Sequence, residues 1–163
     1  MIYLFNVILA MGLSAFSFGI FPDMKSSAAI YVLMFIGWYV VTWLLSFFYN
    51  KSHFSKVPKI AGLILYFLGE LISASIKVAY EIVTPKDHMK PALVAISLDV
   101  KTDFEITILA NLITLTPGTL SIDITNDKKT LLIHEVYVRD EDIEAVKDTI
   151  KNGFERRILQ ITR

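Results

Sequence analysis

The chain has 163 residues, of which 54% are hydrophobic, and its mean hydropathy of +0.54 is too high for an ordinary soluble domain. Sixteen basic and sixteen acidic residues give a formal net charge of zero, so nothing in the charge suggests nucleic acid as a partner. Cysteine is absent, which excludes a disulfide framework, a cysteine-ligated zinc and an iron–sulfur cluster.

The charged residues divide the chain into two parts. Residues 1–85 hold five lysines and three acidic residues, whereas residues 86–163 hold eleven basic and thirteen acidic residues. The amino terminus lacks the basic residues that precede the apolar core of a cleaved signal peptide. We therefore predict a membrane protein of the α+β class, with a membrane region over 1–85 and a small water-facing domain over 86–163.

Two uncharged segments open the membrane region. Residues 1–21 and 26–49 are each long enough to cross the roughly 30 Å hydrocarbon core as a helix. The second segment ends among Trp38, Trp43 and Tyr49, side chains that favour the headgroup region. The sequence PDMKS forms a short connection, so we predict an antiparallel transmembrane hairpin. A buried pair of core helices is the alternative, but uncharged runs of this length are rare in soluble folds.

A basic connection follows the hairpin. The sequence NKSHFSKVPK over residues 50–59 has three lysines and no acidic residue. By the positive-inside rule this loop is cytoplasmic. The amino terminus is then also cytoplasmic, and the turn at 22–26 lies outside.

The third apolar segment, residues 60–83, has a polar stripe. Its small and polar residues recur at gaps of three and four, which places them on one helical face: Gly62, Tyr66, Glu70, Ser73, Lys77 and Glu81. Such a helix either lies in the membrane interface with its polar face to water, or spans the membrane with the stripe toward partner helices. We favour the interfacial arrangement, because it keeps the basic loop and the following domain on one side.

Glu70 and Lys77 are the two charged residues of this stripe that we single out as candidates. They lie seven residues apart, two turns along the same face. They form either an intramembrane charge pair on an ion route or part of a solvated or partner-facing stripe. We favour the second interpretation, since isolated charges on a mixed helix face are usually solvated or partnered.

The segment after Pro85 predicts a domain with the order β-α-β-β-α. Residues 92–100 have the composition of a strand, and Thr102 with Glu105 forms a capping box that opens a helix to Leu115. The apolar side of this helix is predicted to carry Phe104, Ile108, Leu109, Leu112 and Leu115, and its polar stripe Thr107, Asn111 and Thr114. A right-handed crossover should make the first two strands parallel, and a hairpin then adds an antiparallel neighbour.

The sequence TPG at residues 116–118 predicts the corner between this helix and the next strand. Pro117 disfavours helical geometry at Thr116, and Gly118 can adopt a positive φ. Asn111, Thr114 and Thr116 are polar groups in apolar surroundings, so we expect hydrogen-bonded, structural roles for them. The corner therefore needs no catalytic explanation.

Beyond the corner, the sequence predicts a hairpin and a final helix. A strand over residues 119–125 should place Leu120, Ile122 and Ile124 on one face, and NDKK should turn the chain into a strand over residues 130–138. Asp140 is predicted to cap an amphipathic helix with one apolar face, made of Ile143, Val146, Ile150, Phe154 and Ile158.

The motifs of common catalytic and cofactor sites are missing. His53, His88 and His134 form no i,i+4 pair, and no Walker A, GxGxxG or GxSxG sequence occurs. We therefore predict no catalytic residue, no cofactor and no metal ligand, and hence no enzyme.

The chain resembles the E subunit of the multisubunit Na⁺/H⁺ antiporters of the Mrp or Mnh type. The resemblance rests on SIKVAYEIVTP, FEITILANLITLTPGTLSIDI, LLIHEVYV and FERRI, which begin at residues 75, 104, 131 and 154. It covers the whole chain, most securely residues 60–160.

This resemblance implies an accessory, structural subunit of a cation/proton antiporter complex in the bacterial cell membrane, with a cytoplasmic carboxy-terminal domain. Its partners would be the other membrane subunits and the lipid bilayer, while larger chains move the protons. The subunit would support assembly and contribute to the shape of the cation path. The alternative from another class is a stand-alone, membrane-anchored binding module that captures a ligand or polypeptide at a sheet edge.

Overall fold

The computed structural model describes residues 2–20, 28–49, 51–84, 89–138 and 143–163. The chain divides into two compact units, Met1–Pro58 and Lys59–Arg163. The predicted turn at 22–26, the predicted boundary between residues 85 and 86, and the predicted cap at Asp140 lie outside the described residues.

The first unit contains two long helices close to the predicted bounds. Helix α1 runs over Ile2–Ile20 and helix α2 over Ala28–Tyr49. They pack against each other, and the ring centroids of Phe18 and Tyr31 lie 3.8 Å apart. By length and composition, Ala28–Phe48 could cross a membrane, while the apolar part of α1 is shorter.

Small and polar side chains form the contact between α1 and α2. On α1 the buried residues are spaced by three or four: Asn6, Ala10, Ser14 and Ser17. The indole N–H of Trp38 donates to Ser17 Oγ at 2.9 Å, and on α2 the hydroxyls of Thr42 and Ser46 donate to backbone carbonyls of their own helix. Small residues let helices approach closely, and hydroxyl groups that bond to carbonyls of their own helix can be buried in such a contact, which suits a pair of membrane helices.

Helix α3 is longer than predicted, since it runs over Lys51–Val83. The prediction of a loop at residues 50–59 is therefore wrong, and the prediction that the helix starts at residue 60 is wrong with it. Pro58 lies inside the helix, where it has no N–H to donate to the carbonyl of Phe54. That carbonyl accepts instead the indole N–H of Trp43 at 3.1 Å, so the helix passes through the proline. Phe54–Val83 is long and apolar enough to cross a membrane.

The second unit contains a three-stranded antiparallel sheet. Its strands are β1 over Ala92–Ser97, β2 over Thr119–Ile124 and β3 over Thr130–Glu135, in the spatial order β1-β3-β2. Strands β1 and β2 point the same way, as predicted, because each is antiparallel to β3. The hairpin strand lies between them, so they are not neighbours.

A β-bulge in β2 overturns the predicted alternation of that strand. The register shifts between Ser121 and Asp123, so Ile122 has no counterpart in β3. Beyond the bulge, Ile124 pairs with the buried Leu131, whereas Leu120 lies on the opposite face of the sheet. Leu120, Ile122 and Ile124 thus do not share a face, because one extra residue reverses a pattern with a period of two.

Helix α4 runs over Asp103–Leu115 and has both hydrogen bonds of the predicted capping box. Its buried apolar residues are Ile106, Leu109 and Ile113. The prediction that Phe104 and Leu115 belong to the packed face is wrong, since they are 68% and 61% exposed. Apolar residues surround most of this helix, so periodicity alone did not decide which of two faces is buried. In the structure, the face centred on Leu109 packs in the core.

The last helix is not a regular α-helix. It consists of α5 over Ile143–Asp148, a π-helical segment over Thr149–Glu155 and α6 over Arg156–Thr162. Ile150, Phe154 and Ile158 are buried, whereas Ile143 at the predicted start of the apolar face is exposed. In an α-helix each four-residue step overshoots a full turn by about 40°. A π-helical turn contains more residues, so it reduces this angular offset, and Ile150, Phe154 and Ile158 all reach the core.

The core of the second unit lies between one face of the sheet and these helices. Its buried members are Val94, Ile96, Val100, Ile106, Leu109, Ile113, Leu131, Ile133, Ile150, Phe154 and Ile158.

Candidate functional site

The corner at residues 116–118 has the predicted backbone geometry. Thr116 ends α4 in an extended conformation, with φ −82° and ψ 120°, and Gly118 has a φ of +95°. A Cβ atom at Gly118 would lie 3.0 Å from Cδ2 of Tyr137, so the ring occupies the space that a side chain would need. The carbonyl of Gly118 accepts the amide of Val136 at 2.9 Å. Glycine is thus required both by the backbone and by its neighbour.

Hydroxyl groups hold the corner to the end of α4. Thr116 Oγ1 donates to the carbonyl of Leu112 at 2.9 Å, and Thr119 Oγ1 donates to the carbonyls of Ile113 and Thr116. The carbonyls of Ile113 and Thr116 also accept the backbone amides of Thr116 and Thr119 at 3.0 and 3.2 Å, so hydroxyls and amides together close the end of the helix.

The other two predicted polar residues of this region differ from each other. Thr114 Oγ1 accepts the amide of Ser121 at 3.1 Å and so connects α4 to β2. Asn111 is exposed on α4. The corner therefore includes Thr114 but not Asn111.

A buried carboxylate holds the loop between β1 and α4. Glu155 is only 1% exposed, and its Oε1 accepts the amides of Asp99 and Val100 at 2.6 and 3.0 Å. Glu155 belongs to the π-helical segment, more than fifty residues along the chain. The loop and the last helix are therefore fixed to each other by charge-assisted hydrogen bonds.

A second carboxylate holds the next two residues of the same loop. Glu105 Oε2 accepts the amides of Lys101 and Thr102 at 3.0 and 3.1 Å, and its Oε1 accepts the hydroxyl of Thr162 at 2.5 Å. These hydrogen bonds, that from Thr162 first, lower the pKa of Glu105 from 4.5 to about 2. Four consecutive amides, from Asp99 to Thr102, are thus held by two carboxylates.

Helix α3 packs on the core of the second unit through Leu63, Tyr66 and Phe67. The ring of Tyr66 meets the ring of Phe154 edge-on at 5.2 Å between centroids, and the guanidinium of Arg157 lies 3.8 Å from the centre of the Tyr66 ring. A Cβ atom at Gly153 would overlap the Tyr66 hydroxyl, so this glycine makes room for the tyrosine.

Glu70 and Lys77 do not pair with each other, although both lie in the described part of α3. Glu70 hydrogen-bonds with the hydroxyl of Tyr66, and Lys77 interacts electrostatically with Glu135 at the end of β3. Burial raises the pKa of Glu135, while the Tyr137 amide and Lys77 oppose that rise. Each candidate charge is therefore directed to a different neighbour within the second unit.

The described residues offer no obvious reactive centre. Among them, no three His, Asp or Glu side chains cluster in a way that could hold a metal ion. His134 lies on the face of β3 opposite to the core, and the side chains of His53 and His88 lie outside the described set. The polar groups of the corner and of the loop between β1 and α4 act instead in hydrogen bonds that join helices, loops and strands.

Sequence reasoning missed Glu155, Gly153 and the role of Tyr66. One signal was available for Glu155: an acidic residue near the carboxy-terminal end of a helix is disfavoured by the helix dipole, so it requires a specific partner. The partner of Gly153 lies almost ninety residues away in sequence, and no local pattern points to it.

The chain is similar to known proteins over most of its length. A family model described as "Na+/H+ ion antiporter subunit" matches residues 5–161. The Na(+)/H(+) antiporter E subunit of Alkalihalophilus pseudofirmus is 37% identical over 128 residues, which are 78% of this chain and 80% of that protein. The protein of the same name from Bacillus subtilis is 36% identical over 117 residues, 72% of this chain and 73% of that protein.

One solved structure is similar over nearly the full length. It is that of the membrane-bound sulfane sulfur reductase, an archaeal respiratory membrane complex. The match covers 96% of both chains at 24% identity, with a TM-score of 0.56. At this identity the similarity concerns the fold alone.

Proposed function

The chain belongs to the family of Na⁺/H⁺ ion antiporter subunits, and on this basis we propose that it is an accessory, structural subunit of a multisubunit cation/proton antiporter in the bacterial cell membrane. Its relatives carry the name of a single subunit, which implies partner subunits for this chain as well. The proposed role is to support assembly of the complex and to contribute to the shape of the cation path, while other chains move protons.

The observation that supports this proposal is that the charged groups Glu70 and Lys77 of α3 interact with residues of the second unit. Glu70 contacts Tyr66 and Lys77 interacts with Glu135, so each is engaged locally within the second unit. The segments 1–21 and 26–49 contain no charged residue. A proton relay through a membrane normally needs a chain of ionisable side chains, which these two segments lack.

We further propose a topology for the chain. The pair α1 and α2 crosses the membrane as a hairpin, α3 lies along the inner surface, and the α+β domain is cytoplasmic. Contacts of Leu63, Tyr66 and Phe67 with the domain core support this arrangement, since a helix covered on one side by a polar domain is not surrounded by lipid. The outer side of α3 carries exposed apolar residues, including Leu65, Ile72 and Ile76. These would face lipid or partner subunits.

Purification of the chain from its native membrane in a mild detergent tests the function. We expect it to migrate together with several larger membrane proteins. A homogeneous small oligomer of this chain alone would refute the proposal and favour the membrane-anchored binding module.

Exchange activity of the assembled complex tests the role of the α3 charges. In a complex that assembles normally, Glu70→Ala should leave cation-driven proton exchange at the level of the unmodified protein. A complex that assembles fully but loses exchange would assign Glu70 to the transport path instead.

Single cysteines test the topology, and the chain has no native cysteine that would interfere. Ser52→Cys and Lys129→Cys place one thiol at the start of α3 and one in the exposed turn between β2 and β3. An impermeant thiol reagent should label both in inside-out vesicles and neither in right-side-out vesicles. Labelling of the two positions from opposite sides would mean that α3 spans the membrane.

A further inference from the structure

We propose that the free edge of β1 receives an extended segment of a partner subunit, which adds a fourth strand to the sheet. Strand β1 lies at one side of the three-stranded sheet and pairs with β3 alone. Main-chain groups at such an edge bind an extended polypeptide through the same hydrogen bonds that join the strands of a sheet. This inference rests on the proposed function, since it takes the added strand from another subunit of the complex.

The hydrogen-bond pattern shows which main-chain groups of β1 are engaged by β3. Just beyond the strand, the amide of Leu98 donates to the carbonyl of Lys129 at 2.7 Å, in the same register as the β1–β3 pairs. In an antiparallel pair such bonded positions recur at every second residue. Val94 and Ile96 therefore direct their amides and carbonyls toward β3, and the residues between them direct theirs to the opposite side.

The residues that face this free side are Leu93, Ala95 and Ser97. Their amides and carbonyls make no hydrogen bond within the described part of the chain. The amide of Asp99 is the next in the same alternating series, and Glu155 Oε1 accepts it at 2.6 Å. The chain thus closes the series at Asp99 with a side chain of its own and leaves the three preceding positions open.

The opposite edge of the sheet, formed by β2, is protected in several ways. The amide of Ser121 donates to Thr114 Oγ1 at 3.1 Å, so α4 covers this position. A bulge follows at Ile122, and the carboxylate of Asp123 accepts the amide of Ile124 at 2.8 Å. Covering elements, bulges and charged side chains are the means by which proteins prevent further pairing at a sheet edge.

Strand β1 lacks such protection. Its six residues, ALVAIS, contain no charge and no proline, and its pairing with β3 continues without a bulge from Ala92 to Ser97. An uncharged and regular edge promotes pairing with another chain, and it is a risk for aggregation if it stays open. A strand that covers β1 in the assembled complex would remove that risk.

Open space beside the edge indicates the chemistry of the added strand. A cavity of about 260 Å³ is lined by the end of β1 and by charged side chains of the last helix, namely Glu144, Lys147, Asp148 and Lys151. On the other face of the sheet, Leu93 is 61% exposed. Side chains of a strand alternate between the two faces. We therefore expect a segment whose polar residues face the last helix and whose apolar residues lie beside Leu93.

Hydrogen exchange at single-residue resolution tests the proposal, on the full chain alone and on the complex purified in the same detergent. In the isolated chain, the amides of Leu93, Ala95 and Ser97 should exchange fast, and those of Val94 and Ile96 slowly. In the complex, the first three should exchange about tenfold more slowly, the upper end of the range for one added main-chain hydrogen bond. The other two should not change.

Substitutions at Ala95 test the role of the edge directly. Ala95→Pro removes one free amide, and proline is tolerated in an edge strand where its nitrogen faces away from the neighbouring strand. Ala95→Lys adds a charge at the same position and replaces the first variant if that one fails to fold, as measured by circular dichroism. The matched control is Ile122→Lys, which adds the same charge at an exposed position of β2. In complexes of the Ala95 variants, Leu93 and Ser97 should lose their protection, whereas the control should keep it.

The outcomes separate this proposal from the proposed function. Unprotected edge amides in an assembled complex would overturn the proposal and leave the antiporter role intact. Equal slowing at Val94 and Ile96 would indicate general coverage of β1 without strand pairing, and protection in the isolated chain that increases with its concentration would assign the edge to a second copy; either result would also overturn it. A chain that does not co-purify with other subunits would refute the proposed function and this proposal with it.

Discussion

The indole N–H of Trp43 donates a hydrogen bond to the carbonyl oxygen of Phe54 across the connection between α2 and α3, and the two rings stack with centroids 5.0 Å apart. The acceptor is the carbonyl that Pro58 leaves without its helical donor. A side chain of one helix therefore completes the hydrogen bonding of the next, and this explains how α3 extends through a proline.

Trp43→Phe should destabilise the chain by about 1–2 kcal/mol in the wild-type background, since it leaves the Phe54 carbonyl unpaired but keeps an aromatic ring. In the Pro58→Ala background the cost should be much smaller, because the introduced amide donates to the same carbonyl. Detergent-to-SDS unfolding of the four proteins of this double-mutant cycle measures the coupling. Trp38→Phe is the control, since its lost partner is Ser17 Oγ, which Pro58→Ala cannot replace. Equal costs in both backgrounds would contradict the assignment.

Glu105 should make the second unit sensitive to acid. Its pKa is about 2 in the folded chain and 4.5 without its partners, so the unfolded chain binds the proton first. The stabilisation from its charge is fully present above pH 4.5 and is lost as the pH falls toward 2. In Glu105→Gln the melting temperature in detergent should be lower at pH 6 and should change less between pH 4.5 and 2. Glu144→Gln, at an exposed residue paired with Lys147, should keep the normal pH dependence.

Gly118→Ala should lower the stability of the second unit by about 2 kcal/mol, the order expected for a non-glycine residue held at an unfavourable backbone conformation. Part of the loss comes from the positive φ and part from contact with Tyr137, so adding Tyr137→Ala should relieve only the second part. Hydrogen exchange of β3 amides in the full chain measures the effect. Gly69→Ala is the control, because a Cβ there meets nothing within 4 Å and the residue is helical. A loss of the same size in Gly69→Ala would argue against a special role for the corner.

Gly153→Ala should separate α3 from the domain core. The added methyl group would occupy the position of the Tyr66 hydroxyl and displace the ring from Phe154 and Arg157. Hydrogen exchange should therefore increase around Leu63 and in the π-helical segment. Gly62→Ala, which has open space at its Cβ, should leave exchange there unchanged or slow it, since alanine favours the helix by about 1 kcal/mol. Unchanged protection in Gly153→Ala would show that the tyrosine does not depend on this glycine.

Features set by neighbours in sequence were predictable, and features set by distant partners were not. The capping box of Thr102 and Glu105 and the corner at Gly118 follow from residues within a few positions of each other. The second use of Glu105, through Thr162, depends on tertiary contact. The alternation of β2 failed at Ile122, because a bulge is decided by pairing with β3 and not by β2 alone.

The start of α3 was also mispredicted because it depends on a partner in another helix. The basic, polar sequence of residues 50–59 indicated a loop, and the proline within it is consistent with that interpretation. The helix forms because Trp43 supplies the donor that the proline lacks. For the candidate pair Glu70 and Lys77, the spacing placed both on one face together with Tyr66, the i,i+4 neighbour of Glu70, but it could not identify Glu135, which only the tertiary fold brings near Lys77.

The loop from Asp99 to Thr102 depends on Glu155 and, through Glu105, on Thr162. During translation these anchors leave the ribosome after the whole sheet, when the apolar helices have already reached the membrane. The loop between β1 and α4 therefore lacks these hydrogen bonds until the π-helical segment and α6 have been synthesised. We expect the newly made subunit to pass through a stage in which it is anchored but unfinished, and during this interval proteases and chaperones have their best access to it.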